Sequence, residues 1–306
     1  MIPPQATPDR RSAAQYARGA LCGLVAVSIW SGGIVLVGLG LRTSLTPWDI
    51  AAVRFGLAGL LLLPYVMSKG IALERLGWTG LGAVVLGGGA PVVLCNAGLL
   101  FAPAAHAGAL YPGVMPLMVA ISAAGILKEP FTARKKLGFA LILPGVLAIV
   151  WSSGGMIGSQ QNIGHVLFIG AGLGFAFYTV AMRRAELDGL HAAALAAVGD
   201  LLLYVPVYSI IAGSNLVQSA LADIGLQAFA QGVLTAIVSY LLYGRAVKIL
   251  GASGGAAFAA LSPAMTALLA IPILGEWPKA VDWMAIIVIS LGVYVVSRGP
   301  PAVRRA

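Results

Sequence analysis

Residues 113–130 read GVMPLMVAISAAGILKEP, and residues 260–277 read ALSPAMTALLAIPILGEW, so a similar pattern recurs 147 positions later. Both stretches hold a proline near the start and a glutamate near the end of an otherwise apolar run. The positions matched at this offset are Gly108 with Gly255, Pro116 with Pro263, Met118 with Met265, Glu129 with Glu276 and Gly145 with Gly292. The chain therefore contains two related halves.

Composition places both halves in a membrane. The 306 residues are 59% hydrophobic and only 9% charged, with a mean hydropathy of +0.95. Soluble domains carry roughly 25% charged residues, so this chain has too few charges to cover a surface in water. A soluble enzyme, a nucleic-acid-binding module and a disordered chain are excluded, which leaves an integral membrane protein.

Ten stretches of the sequence are apolar enough to cross a bilayer, which takes about 20 helical residues. The predicted spans are 19–40, 47–66, 77–100, 104–126, 134–152, 164–183, 191–213, 224–245, 251–274 and 280–298. Each half holds five spans, an odd number, so the second half must enter the membrane from the opposite side. We therefore predict an all-α integral membrane protein with two inverted five-helix repeats.

The predicted organisation has four parts. A cytoplasmic N-terminal arm covers 1–18, the first repeat covers 19–152, the second covers 164–298, and a cytoplasmic tail covers 299–306. The apolar run after the arm is long enough to span the membrane, so it is not typical of a cleavable signal peptide.

Basic residues predict the orientation of the helices. Sixteen of the 19 Lys and Arg fall in the two termini and the connections on one side, which we call the basic side. The far side holds only Arg42 and Lys279, and Arg54 lies inside a span. The positive-inside rule then predicts that both termini of this multi-pass protein are cytoplasmic.

No cofactor or metal is expected. Cys22 and Cys95 lie in apolar runs and form neither a metal-binding nor a disulfide pattern. The expected partners are a small-molecule substrate and the lipid bilayer, without nucleic acid, because the positive charge is a topology signal. The sequence is compatible with a homodimer but holds no signal for the oligomeric state.

Several motifs resemble a known transporter family. Residues 28–64, SIWSGGIVLVGLGLRTSLTPWDIAAVRFGLAGLLLLP, place a Trp-Ser pair in mid-helix, a proline at the start of the next helix, and then Ala-x-Arg-Phe and a leucine run. Further matches are Ala107 to Leu110, Pro116, Gly125 to Glu129, Gly138 to Gly145, Pro263, Gly275-Glu276 and Gly292. Across 19–298 the chain resembles the ten-helix EamA branch of the drug/metabolite transporter superfamily.

This resemblance implies an exporter of small metabolites rather than an enzyme, with the aromatic and neutral amino-acid exporters as the nearest analogy. It also implies a central cavity between the helices of both halves. The second half departs from the motif, since Phe177-Tyr178 stands at the Trp-Ser position and Leu201 at the arginine position. The two repeats are therefore not equivalent in function.

Aromatic and polar residues inside spans are the candidates for substrate binding. Trp30 is the strongest, because the other five tryptophans lie at span ends, where membrane interfaces favour them. Its ring offers a stacking surface for an aromatic or aliphatic substrate. The full candidate set is Trp30, Ser31, Asn96, His106, Tyr111, Tyr178, Tyr240, Tyr243 and Phe258. His106 could also couple export to protons.

Charged residues form a second group of candidates. Arg54 and Asp200 lie well inside spans, where charges are costly and usually paired or functional. They could form a buried pair, Arg54 could instead be structural, and Asp200 alone could carry a proton. Glu129 and Glu276, at matching helix ends on opposite sides, are candidate gating or structural charges near Arg134 and Lys279.

Glycines and prolines predict where helices bend. The run Gly87-Gly88-Gly89-Ala90-Pro91 is expected to interrupt the third helix as a hinge. Prolines free backbone carbonyls that need a partner or a wet cavity, so the other hinge candidates are Pro112, Pro116 and Pro263.

Other functions are weaker alternatives. Nucleotide sugars need basic residues in the cavity, where only Arg54 is available, and cationic drugs need a carboxylate, where Asp200 is the candidate. An intramembrane serine protease would use Ser253 in Gly-Ala-Ser-Gly, with His191 as base. A channel lacks its charge rings or carbonyl filter. The favoured prediction is a secondary transporter that exports neutral or aromatic amino acids by alternating access.

Overall fold

The computed structural model describes residues 13–154, 159–211 and 214–297. In these ranges ten helices are long and apolar enough to cross a membrane, and no strand is present. The prediction of an all-α membrane protein with ten spans is confirmed.

The ten helices are numbered α1 to α10 in chain order. Two of them, α4 and α9, are each built from two segments, and α8 contains a π-helical stretch at Ala228–Val238. Their bounds are Ala13–Gly40, Pro47–Lys69, Leu73–Gly98, Ala104–Leu110 with Met115–Ile126, Ala133–Ser152, Gln161–Arg184, Gly189–Ile211, Leu221–Leu250, Ala252–Ala259 with Ser262–Leu274, and Ala280–Ser297.

Helix packing follows the inverted repeat. α1 packs on α8 and α9, and its counterpart α6 packs on α3 and α4. Three pairs of counterparts pack on each other, namely α2 with α7, α4 with α9 and α5 with α10. The middle of the molecule therefore lies where α1, α4, α6 and α9 meet, with α3 and α8 beside them.

The two central helices α4 and α9 break at matching places. α4 stops at Leu110 and resumes at Met115, while α9 stops at Ala259 and resumes at Ser262. Each second segment begins with a proline at its first or second position, Pro116 in α4 and Pro263 in α9. A proline is accepted there because the first turn of a helix has no partner for the missing N–H. Motion about these breaks stays a prediction.

The predicted interruption of the third helix at 87–91 is wrong, because α3 is helical through this segment and its non-helical residue is Gly77 instead. The glycines serve close packing. A Cβ on Gly87 would lie 2.8 Å from the Tyr178 backbone nitrogen, and one on Gly89 would lie 2.1 Å from Asp200 Oδ1. Without side chains at these positions α6 and α7 approach the backbone of α3.

The packing of α2 on α7 makes a stability prediction. A Cβ on Gly59 would lie 2.5 Å from Leu201 Cβ and 2.7 Å from the Ala197 carbonyl oxygen, while one on Gly56 meets nothing within 4 Å. Gly59→Ala is expected to lower the unfolding free energy by about 1–3 kcal/mol through overpacking. Gly56→Ala, on the same helix, should leave thermal unfolding in detergent unchanged. Equal unfolding temperatures for both variants would contradict the close α2–α7 contact.

Candidate functional site

Three aromatic rings meet at mid-depth between α1 and α8. The Trp30 ring centroid is 5.0 Å from that of Tyr243 and 6.0 Å from that of Tyr240. Trp30 lies about 15 Å along α1 from its far-side end, at 1.5 Å per residue. The packing of α1 on α8 thus brings together three residues that the sequence proposed separately.

Two further tyrosines, from α4 and α6, lie near these three rings. Tyr111 is the residue at which the first segment of α4 ends, and its side chain lies within electrostatic range of Arg54 and near Tyr240. Tyr178 of α6 also interacts with Tyr240. Its buried hydroxyl has no hydrogen-bond partner in the described part of the chain, so an unsatisfied donor is held within the bundle. We call Trp30, Tyr111, Tyr178, Tyr240 and Tyr243 the aromatic cluster.

Arg54 is held beside the aromatic cluster by Gln231. Its Nη1 donates a hydrogen bond to Gln231 Oε1 at 3.3 Å, and Gln231 Nε2 donates to the Gly33 carbonyl oxygen of α1 at 2.8 Å. Gln231 lies in the π-helical stretch of α8, a distortion that is frequent at functional sites. Arg54 thereby connects α2 to α8 and α1 at the depth of the aromatic rings.

Asp200 is the acidic residue of the same region. It lies at the midpoint of α7 and is only 6% exposed. Arg54 acts on it electrostatically, but the two do not form an ion pair within 4.0 Å, and Asp200 has no hydrogen-bond partner among the described residues. A buried pair in direct contact, one of the sequence-based interpretations, is therefore wrong. The two charges lie apart, with Arg54 also acting on Tyr111 and Tyr240.

Three other candidates lie outside this cluster and make packing contacts. The Ser31 hydroxyl donates to the Ser262 carbonyl oxygen at 3.2 Å, where α1 meets the break in α9. Asn96 donates to the Pro47 carbonyl oxygen at 3.3 Å and so ties α3 to the start of α2. Phe258 packs on the backbone of Gly23 in α1.

His106 belongs to a separate buried cluster at the far side. Its Nδ1 is 3.1 Å from His165 Nε2, and its Nε2 is 3.5 Å from Asp282 Oδ1. Ser152 donates a hydrogen bond to the same Asp282 oxygen. His165 and Asp282 were not singled out in the sequence because each lies within a turn or so of a span end, where a polar residue is ordinary. One signal could have directed attention to His165. The chain has three histidines in all, and His191 is the third.

Glu129 and Glu276 form ion pairs on opposite sides of the molecule. Glu129 pairs with Arg183 at the end of α6 and with Lys135. Glu276 pairs with Arg42 at the end of α1 at 3.7 Å, whereas the Lys279 side chain binds the Ser152 carbonyl oxygen. Burial raises the pKa of Glu276, and the hydrogen bond from the Ala104 N–H and the Arg42 charge oppose that rise.

Comparison with known proteins bears on both halves. Residues 17–151 and 162–298 each match the sequence model of the family described as the EamA-like transporter family. The chain belongs to this transporter family. Among its relatives, the "Uncharacterized transporter YyaM" of Bacillus subtilis (strain 168) is 26% identical over 270 residues, which cover 82% of this chain and 85% of YyaM.

A solved structure shares the architecture of this EamA-like chain. A crystal structure described only as that of a protein is similar with a TM-score of 0.62 and 19% identity, covering 91% of this chain and 96% of the other. At that identity the likeness shows the fold alone. The chain is thus a membrane transporter of the EamA-like family, and its substrate is a matter for its own residues.

Proposed function

We propose that this EamA-like transporter exports neutral and aromatic amino acids by alternating access. The observation that carries the proposal is the aromatic cluster at mid-depth, with Arg54 close enough to act electrostatically on two of its tyrosines and on the buried acidic residue Asp200. Secondary transporters commonly bind substrate near the bilayer midplane at the interface of their repeats.

A zwitterion matches these groups. The guanidinium of Arg54 suits a carboxylate, which accepts charge-assisted hydrogen bonds, and the Asp200 carboxylate suits an ammonium group. Arg54 and Asp200 make no ion pair with each other among the described residues, so neither side chain occupies the other by direct contact. The Trp30 and tyrosine rings then offer an apolar surface to the side chain.

Two alternatives use only part of this arrangement. A nucleotide sugar brings two phosphates, for which Arg54 is the one cation of the cluster. A cationic drug would use Asp200 and the aromatic rings but leave Arg54 without a role. Membership of a transporter family also favours a non-enzymatic function over a serine protease. The side chain of Ser253, the nucleophile of the protease alternative, lies outside the described residues.

Ion pairs on both sides support the alternating-access part of the proposal. Glu129 with Arg183 joins α4 to α6 on the basic side, and Glu276 with Arg42 joins the α9–α10 connection to α1 on the far side. The repeat relates these two glutamates at the same offset. Opening of each pair in turn would expose the central charges first to one side and then to the other.

Export also requires an orientation, and the proposal places both termini in the cytoplasm of a bacterium, at its inner membrane. In a variant without Cys22 and Cys95, Ser159→Cys on the far side is expected to react with a membrane-impermeant maleimide applied to intact cells. Ser68→Cys, the matched serine on the basic side, should react only after permeabilisation. The reverse pattern would contradict the orientation.

Counterflow into proteoliposomes tests the function itself. Vesicles that hold purified protein and unlabelled phenylalanine should take up labelled phenylalanine, and vesicles preloaded with glutamate should not. Exchange of a cationic dye without exchange of any amino acid would favour the drug-export alternative and would overturn the proposal.

A further inference from the structure

The His106, His165 and Asp282 side chains form a chain of contacts that the transport site does not use. Their residues are 4%, 2% and 4% exposed. Asp282 accepts hydrogen bonds from the Ser152 hydroxyl and from the Lys279 backbone N–H at 2.9 Å. Four helices, α4, α5, α6 and α10, therefore meet at these groups. We call His106, His165, Asp282 and Ser152 the histidine cluster.

Hydrogen-bond chemistry assigns the tautomers in the histidine cluster. The Asp282 carboxylate already accepts two hydrogen bonds and can only accept from His106, so His106 Nε2 carries the proton that faces it. His106 Nδ1 is then an acceptor, and His165 Nε2 donates to it. This leaves the lone pair on His165 Nδ1, which is buried and has no partner among the described residues.

We propose that the histidine cluster binds the proton that drives transport, at His165 Nδ1. Adding the proton fills the lone pair and breaks no bond. It turns His165 into an imidazolium, whose charge faces the Asp282 carboxylate through the His106 ring. This inference rests on the proposed transport function and adds its coupling ion, since protonation of an imidazole lies in the physiological pH range.

Other charges around the histidine cluster are few. Glu276, on the α9–α10 connection, acts electrostatically on His106. Arg42 pairs with Glu276, and the Lys279 ammonium binds the Ser152 carbonyl oxygen. Asp282 is therefore the carboxylate in contact with the imidazoles.

A cavity on the far side reaches His106 and Asp282, and His106 in turn contacts His165. The cavity has a volume of about 180 Å³ and is lined by His106 and Asp282 together with Glu276, Trp277 and Lys279. Such a space suffices for several water molecules, which supply and remove protons.

The histidine cluster also reaches the transport site through α4. His106 lies on the seven-residue segment Ala104–Leu110, which ends at Tyr111 of the aromatic cluster. A proton that strengthens the attachment of His106 to α6 and α10 therefore holds the same short segment that positions Tyr111. Protonation and substrate binding act on one movable element, which is what coupling requires.

The inverted repeat indicates that this site is specific to one side. At the offset of 147, the counterparts of His106, His165 and Asp282 are Ser253, Arg18 and Lys135. A serine and two permanent cations cannot form such a proton-binding chain. The helices of the other half therefore pack without such a cluster. This difference favours a function for the histidine cluster that is particular to the far side.

A titration of the full chain tests the inference directly. The protein in lipid nanodiscs, labelled with 15N-histidine, has three histidines, and His191→Asn removes the one outside the cluster. We expect a single protonation event in the histidine cluster within the pH range over which the protein stays folded. Asp282→Asn should move its midpoint to lower pH by roughly one to three units, because the neutralising charge is gone. Glu129→Gln is the control. Glu129 is the repeat counterpart of Glu276 but lies on the basic side, so this substitution should not change the midpoint of the histidine titration.

Transport then shows whether the proton is coupled. Wild-type vesicles should accumulate phenylalanine under an imposed pH gradient, and Asp282→Asn should reduce this accumulation about tenfold or more while counterflow without a gradient persists. Imidazoles that stay neutral throughout the pH range over which the protein stays folded, a midpoint insensitive to Asp282→Asn, or wild-type accumulation independent of pH would each overturn the proton site. Absence of wild-type counterflow would count instead against the proposed function, and the titration would still decide the proton site.

Discussion

Trp30→Ala is expected to reduce phenylalanine counterflow at low substrate concentration by about tenfold or more. The indole contacts two tyrosine rings of α8, and an aromatic contact contributes about 0.5–1.5 kcal/mol beyond buried area. Without the indole contacts to the tyrosines and to the side chain of the bound substrate, we expect binding to weaken by about tenfold or more. The measurement is the initial rate of exchange across a range of phenylalanine concentrations.

Two further variants make this result specific. Trp30→Phe keeps a ring at the site and should recover much of the rate. Trp78→Ala removes a tryptophan that is 75% exposed at a helix end, and its exchange should equal wild type. Normal exchange by a correctly folded Trp30→Ala protein would mean that Trp30 only packs α1 against α8 and binds no substrate.

Asp200→Asn is expected to weaken amino-acid binding by roughly ten- to a hundredfold. The substitution keeps the shape of a 6% exposed side chain but removes the charge that would face a substrate ammonium group. A hydrogen bond to a charged group contributes about 1.5–3 kcal/mol, which corresponds to this loss. Arg54→Gln should cause a loss of similar size from the carboxylate end of the substrate, as measured by competition in the counterflow assay.

The two charge variants separate the competing substrates. If the site holds a zwitterion, both variants lose phenylalanine exchange, and neither gains transport of a cationic dye. If Asp200 serves a cationic drug, Asp200→Asn abolishes dye flux while Arg54→Gln leaves it intact. Because Arg54 also holds Gln231, thermal unfolding of Arg54→Gln must be compared with wild type. Gln231→Leu keeps the arginine but removes the bonds of Gln231 to Arg54 and to the Gly33 carbonyl oxygen, and it serves as the comparison variant.

The fold was accessible from sequence because its signals are local. Each span is an apolar run bounded by helix-breaking residues such as proline and glycine. The repeat-related residues Pro116 and Pro263 mark the two broken helices, α4 and α9. The glycines at 87–89 misled the prediction, since a run of glycines suggests a hinge when the neighbours of the helix are unknown. Their actual role depends on α6 and α7, which a single helix sequence does not contain.

The site was only partly accessible for the same reason. Trp30 could be found because a tryptophan in mid-span departs from the interfacial pattern. Gln231 could not, since its importance comes from Arg54 on another helix and from the Gly33 carbonyl oxygen on a third. Asn96 shows the converse, because an amide that suggests a ligand contact instead binds a backbone carbonyl of α2.

Competition by analogues of one substrate tests the central claim most directly. Labelled phenylalanine counterflow would be measured with excess phenylalanine, phenylalanine amide, which lacks the carboxylate, or 3-phenylpropionate, which lacks the ammonium group. Arg54 and Asp200 predict strong competition by phenylalanine and competition at least about tenfold weaker by either analogue, because each forfeits one charge-assisted contact. Equal competition by all three compounds would contradict a zwitterion site formed by Arg54, Asp200 and the aromatic cluster.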